Sequence, residues 1–162
     1  MVDFEALLRA LAGSQIEFIV VGGAAATAHG SARLTNDLDI VYSRSPENIR
    51  RIVTALRDFH PYLRGAPPGL PFRFDEETIH AGLNFTFTTT LGDLDLLGEI
   101  AGGGTYERLR PDTITIRLFD VECLCLDIER LIDTKRAAGR TKDFDVIAEL
   151  ELLLEMRKQP PG

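Results

Sequence analysis

The stretch VVGGAAATAHGSARLTNDLDIVY, Val20 to Tyr42, decides how this chain is read. An apolar run ends in two glycines, small residues follow, and two aspartates then flank a single leucine. The segment IEFIVVGG has the composition of a largely buried strand entering a glycine turn. AAATAH predicts a short helix closed by Gly30, and SARLTN predicts a loop. DLDIVY alternates acid and apolar residues, which is the period of a strand. Asp37 and Asp39 therefore share one side of it, with Leu38 and Ile40 on the other. Adjacent carboxylates repel unless a cation lies between them, and oxygen-only ligands suit Mg²⁺ or Mn²⁺.

Gly22 and Gly23 supply a second element. Glycines between a strand and a helix expose backbone N–H groups, and the helix dipole adds positive potential, a combination that holds phosphate. A tight turn uses the same residues. The spacing is neither the dinucleotide G-x-G-x-x-G nor a Walker A loop. A further acid is expected from a neighbouring strand. LNFTFTTT and DLDLLGE read as two strands joined in a tight hairpin at LG, and Asp95 lies there between Leu94 and Leu96. Asp93 falls on the same face, so two residues compete. Asp95 is preferred because Asp93 adjoins Gly92 and has the setting of a turn residue.

Working outward, residues 3–12 form a helical pattern capped by Asp3 and ended by Gly13. SPENIRRIVTALRDF is the clearest helix, with Ser45 as N-cap and Pro46 in its first position. HPYLRGAPPGLP, with four prolines and two glycines, reads as a loop only, and AGGG as a flexible one. TITIRLF and VECLCL are strand-like, Asp127 caps a helix through Ala138 that Gly139 closes, and a last helix runs from about 143 to 157. The chain reads as a single domain over residues 1–158 with a tail at 159–162, and as an α+β, α/β-like fold.

A length of 162 residues, 44% of them hydrophobic and 27% charged, suits one compact domain and excludes a disordered chain. The net charge of −7 argues against broad electrostatic capture of DNA or RNA. Cys123 and Cys125 share a strand face and are read as buried, reduced thiols. No targeting or membrane-spanning segment is legible, so a soluble cytoplasmic protein is expected.

Together the pattern is apolar–Gly–Gly, thirteen residues, Asp-Leu-Asp-Ile, then a later apolar–Asp–apolar. It resembles the DNA polymerase beta-like nucleotidyltransferase superfamily. LIDTKRAAGRTKDFDVIAEL is similar to the C-terminal segment of small nucleotidyltransferases related to AbiEii/AbiGii and MenT toxins, and the likeness runs from about residue 16 to 150. The resemblance implies a short mixed sheet flanked by helices. It also implies transfer of a nucleoside monophosphate from an NTP to an acceptor hydroxyl, on an RNA or tRNA end or a protein, by a toxin with an antitoxin partner. By residue, Gly22 and Gly23 would hold the triphosphate, and Asp37, Asp39 and Asp95 would be catalytic and bind Mg²⁺ or Mn²⁺. Lys135 would reach the phosphates, and Asp145 matches an acid of the last motif. Transfer to a small molecule, and a non-catalytic nucleotide- or partner-binding member, are the alternatives. Many members carry Gly-Ser where this chain has Gly22-Gly23, so a serine hydroxyl is missing.

Arg33, in the loop before the acids, is either a phosphate contact or solvated. His29 is either near the nucleotide or a helix cap. Arg136, Arg140 and Lys142 form a small basic patch near Lys135, whereas His60 and His80 lie in loop-like contexts.

Overall fold

The computed structural model describes residues 2–159. Apart from Gln159, the tail expected at 159–162 lies outside the described residues.

Helix α1 (Phe4–Gly13) starts where the Asp3 carboxylate accepts the Ala6 N–H at 3.0 Å, and it buries Leu7, Leu8 and Leu11. Strand β1 (Phe18–Val21) is buried throughout and passes without a linker into α2 (Gly22–Ala28). Gly22 makes that switch with a φ of +64°, a conformation that favours glycine. The two glycines are thus the first turn of the helix, not a turn before it.

Strand β2 (Asp37–Tyr42) is followed by α3 (Pro46–Leu56), capped by Ser45 and buried through Ile49, Ile52, Val53 and Leu56. Next come β3 (Tyr62–Leu63), α4 (Glu76–Ala81), β4 (Asn84–Thr89) and β5 (Gly92–Leu97). A small ladder of β6 (Glu99–Ile100) and β7 (Gly104–Thr105) precedes α5 (Tyr106–Leu109). The hairpin of β8 (Thr113–Leu118) and β9 (Val121–Leu126) leads to α6 (Ile128–Ala138) and α7 (Phe144–Lys158).

Seven strands form one mixed sheet in the order β3-β4-β5-β2-β1-β9-β8. The β1/β9 and β2/β5 pairs are parallel and the other neighbours antiparallel, so the expected mixed sheet with flanking helices is present. Leu38, Ile40, Leu94 and Leu96 are fully buried on the two central strands. Each contributes roughly 1.5–3 kcal/mol of apolar burial, which fixes the register and with it the side on which the acids emerge.

Three further local readings change. HPYLRGAPPGLP is not loop throughout: Tyr62 and Leu63 pair with Thr88 and Phe87 as an edge strand, a place where flanking proline is tolerated. The AGGG loop ends in a ladder residue, since Gly104 pairs with Ile100. His80 sits in the last turn of α4, a helix of only six residues whose Asp75 cap accepts the Thr78 N–H at 2.8 Å. Cys123 and Cys125 are buried, and burial pushes the Cys125 thiol up to about 12. Among the described residues no helix is long and apolar enough to cross a membrane.

Candidate active site

Registry assembles the acids. Asp39 pairs with Val21 on one side and Asp95 on the other, while Asp37 lies opposite Asp93. A carboxylate oxygen from each of Asp37, Asp39 and Asp95 lies within 4.8 Å of the other two. Among the described residues, Asp39 Oδ1 is buried with no hydrogen-bond partner. Burial first, then the charges of Asp37 and Asp95, pushes the Asp39 carboxyl up to about 8. Asp95 is also raised, by burial above all, with Arg64 opposing. An orphaned carboxylate oxygen inside a hard, oxygen-only donor set is what a divalent cation satisfies, so the residues fit a metal.

Asp93 differs. Its Oδ2 lies 3.3 Å from Arg64 Nε, whereas Arg64 Nη2 donates to Asp95 Oδ1 at 2.7 Å and to the Phe87 carbonyl at 2.9 Å. Arg64 thus clamps Asp95 from the side away from Asp39. The sequence reading missed it because it follows the two-residue strand hidden in the proline-rich run. The signal was Tyr62-Leu63, two strand formers immediately before it.

The glycines are required by contact. A Cβ on Gly22 would collide with the Asp39 carboxylate, so that carboxylate rests on bare backbone. A Cβ on Gly23 would stand 2.7 Å from Thr35 Oγ1, which itself donates to the Asp37 carbonyl at 3.1 Å. The threonine hydroxyl fills the space that a serine at position 23 needs. The Gly-Gly departure and Thr35 are therefore one packing unit.

Lys135 is 6% exposed, and its Nζ lies 3.6 Å from Asp143 Oδ1. It is not on a solvated helix face. The buried Asp143 also accepts from Arg140 Nε at 2.7 Å, so one carboxylate anchors two cations. The sequence reading took Asp143 only as the start of the last helix. Asp145, two residues on, is 83% exposed at its side chain and faces Arg33 at 3.6 Å. It lines neither of the cavities that hold the acids. The loop carrying Arg33 is tied to α7 by Glu149, which accepts from Ser31 Oγ at 2.5 Å and from the Ala32 N–H at 3.1 Å.

His29 is structural. Its Nε2–H donates to the Leu126 carbonyl at 2.8 Å, and Nδ1 accepts from Arg157 at 3.2 Å. Arg136 pairs with Glu151 instead of joining the site. Arg140 and Lys142 do line the cavity that holds the acids.

Two cavities open from the acids, of about 300 and 410 Å³, and Asp39, Asp95, Lys135 and Arg140 line both. The site can hold a divalent cation at the carboxylates and polyphosphate oxygens at Lys135, Arg140, Arg33 and Lys142.

Comparison with known proteins agrees with this arrangement. Curated proteins yield no significant match. Among solved structures, the lincomycin-bound lincosamide antibiotic adenylyltransferase LnuA superposes with a TM-score of 0.62 at 14% identity, covering 94% of this chain and 98% of that one. A Thermotoga maritima protein provisionally assigned as a nucleotidyltransferase superposes with a TM-score of 0.57 at 13% identity, covering 94% and 96%. At such identities the likeness is one of fold. The family model described as nucleotidyl transferase AbiEii toxin, type IV TA system, matches residues 5–143. That span contains both glycines, all three clustered acids, Lys135 and Asp143, and the chain belongs to the AbiEii nucleotidyltransferase toxin family.

Proposed function

We propose that this protein is a metal-dependent nucleotidyltransferase that moves a nucleoside monophosphate from an NTP to an acceptor hydroxyl. The observation that carries this is the meeting of Asp37, Asp39 and Asp95 over Gly22, with Asp39 Oδ1 left unpaired. Asp37, Asp39 and Asp95 would hold Mg²⁺ or Mn²⁺. When bound, such a cation neutralises phosphate charge and aligns the reacting oxygens.

The rest falls to side chains and backbone. The bare backbone of Gly22 and Gly23 lets the triphosphate approach closely. Lys135 and Arg140, both anchored by Asp143, balance charge on the phosphates, and Arg33 and Lys142 extend that positive lining outward. Arg64 fixes the Asp95 carboxylate by holding Oδ1, which leaves Oδ2 to take the proton of the acceptor hydroxyl. The acceptor oxygen attacks the α-phosphorus and pyrophosphate leaves. An RNA end, a protein side chain and a small molecule each offer the needed hydroxyl. An antitoxin partner accords with the family's toxin description, and the cytoplasm supplies the NTP.

The test joins binding to turnover. With Mg²⁺ present, NTP should raise the melting temperature, and pyrophosphate should appear. The Asp39→Asn variant should fold and release none. Pyrophosphate release surviving in that variant contradicts the assignment.

A further inference from the structure

The two cavities that meet at Asp39 and Asp95 run toward opposite ends of the paired strands β2 and β5. One continues past Asp37, at the start of β2. The other continues past Leu97, which pairs with Val41 at the far end, to Asn84 and Glu99. Beyond the shared residues the first carries Arg33, Arg64 and Lys142. The second, among the described residues, carries no lysine or arginine of its own. Its wall sets an apolar side of Val21, Leu97, Ile100 and Leu131 beside polar groups, and Glu99 adds a negative charge.

In-line displacement at phosphorus places the entering and leaving oxygens on opposite sides. The pyrophosphate leaving group is the polyanion and belongs in the cavity with the additional cations Arg33, Arg64 and Lys142. The entering oxygen then comes from the other one. Resting on the transfer reading above, we infer that the part-apolar cavity bounded by Asn84, Glu99 and Leu131 is the acceptor site, and that its acceptor is a compact, uncharged or cationic, hydroxyl-bearing small molecule.

The polar groups fit that class. Asn84 Oδ1 accepts the N–H groups of Gly98 at 2.8 Å and Glu99 at 3.2 Å. This pins the amide and leaves its NH₂ group to donate to a hydroxyl, ether or carbonyl oxygen. The Glu99 carboxylate accepts from a hydroxyl or an ammonium group. A nucleic-acid backbone would bring one negative charge per nucleotide toward Glu99, and the cations lining that cavity, Lys135 and Arg140, are the two that it shares with the phosphate side and that Asp143 already holds. A volume of about 300 Å³ holds a small molecule and not a folded segment. In the reaction the acceptor oxygen bonds to the α-phosphorus and its proton passes to Asp95. The bond from the α-phosphorus to the bridging oxygen breaks, and pyrophosphate keeps that electron pair.

The experiment fills the cavity. Ala101 and Ala138 line it from exposed positions, so Ala101→Trp and Ala138→Trp narrow it without crowding the core. Each protein, checked for an unchanged melting temperature, is incubated with α-³²P-NTP and Mg²⁺. The acceptor probes are total RNA, total protein and the small-molecule filtrate of a cell extract. The expected result is label on a filtrate compound, reduced about a hundredfold by a variant whose NTP affinity is unchanged. Label on RNA or on protein overturns the inference. So does loss of NTP affinity in a folded variant, which would make the cavity the nucleoside's. Absence of label from every fraction while the wild type binds NTP counts against it equally. If the wild type neither binds NTP nor releases pyrophosphate, the transfer reading itself has failed.

Discussion

Lys135 and Asp143 face each other across 3.6 Å with both side chains almost fully buried, and Asp143 holds Arg140 as well. This arrangement is asymmetric. Removing Asp143 strands Lys135, whereas removing Lys135 leaves Asp143 still paired with Arg140. Asp143→Ala should cost about 3–5 kcal/mol of stability, and Lys135→Met clearly less. Urea denaturation of the two variants measures the difference. Equal losses would contradict the asymmetry.

Gly23 and Thr35 should behave as a coupled pair. Gly23→Ser places a Cβ against the Thr35 hydroxyl and should destabilise by about 1–3 kcal/mol. Added to Thr35→Ala, the same change should cost markedly less. A double-mutant cycle with no coupling would contradict the packing account.

Arg64 is the counter-cation of Asp95 and Asp93. Arg64→Met should lower the melting temperature without metal, because the clustered acids then repel unopposed. Added Mn²⁺ should give a larger rise in melting temperature than in the wild type. A smaller rise would mean that Arg64 builds the metal site instead of offsetting its charge.

His29 gives a pH dependence. Burial, above all, lowers its pKa below the ordinary 6.5, so the folded protein keeps it neutral where the unfolded chain takes up a proton. Its contribution to stability is therefore present above about 6.5 and falls as the pH drops below that value. By chemical denaturation at each pH, stability profiles of the wild type and His29→Gln should keep a constant separation above pH 6.5 and change separation below it, the wild type losing stability that the variant does not. A constant separation through pH 6.5 and below would contradict the buried neutral form.

The sheet and the acids were legible for a simple reason. Strand period places Asp37, Asp39 and Asp95 on one side, and their apolar alternates leave no other register. Asp95 shares the cluster with Asp37 and Asp39, and Arg64 contacts both Asp95 and Asp93. Lys135 was legible only through the resemblance, because a lysine in a helix gives no sign of burial until its partner is known. That partner, Asp143, was overshadowed by Asp145, since two acids two residues apart differ only by the turn of the short 3₁₀ segment over Thr141–Asp143. Arg64 was hidden because a two-residue edge strand carries too little periodicity to register against four prolines. Thr35 became meaningful only when its contact with Gly23 was seen, a relation between residues twelve apart in sequence.

The most direct test of the central claim is transfer itself. Wild-type protein and Asp39→Asn are incubated with α-³²P-NTP, Mg²⁺ and whole-cell extract, and label on any acceptor is counted. The account predicts labelled product with the wild type, none after chelation, and none with Asp39→Asn. Equal labelling by the variant would contradict it.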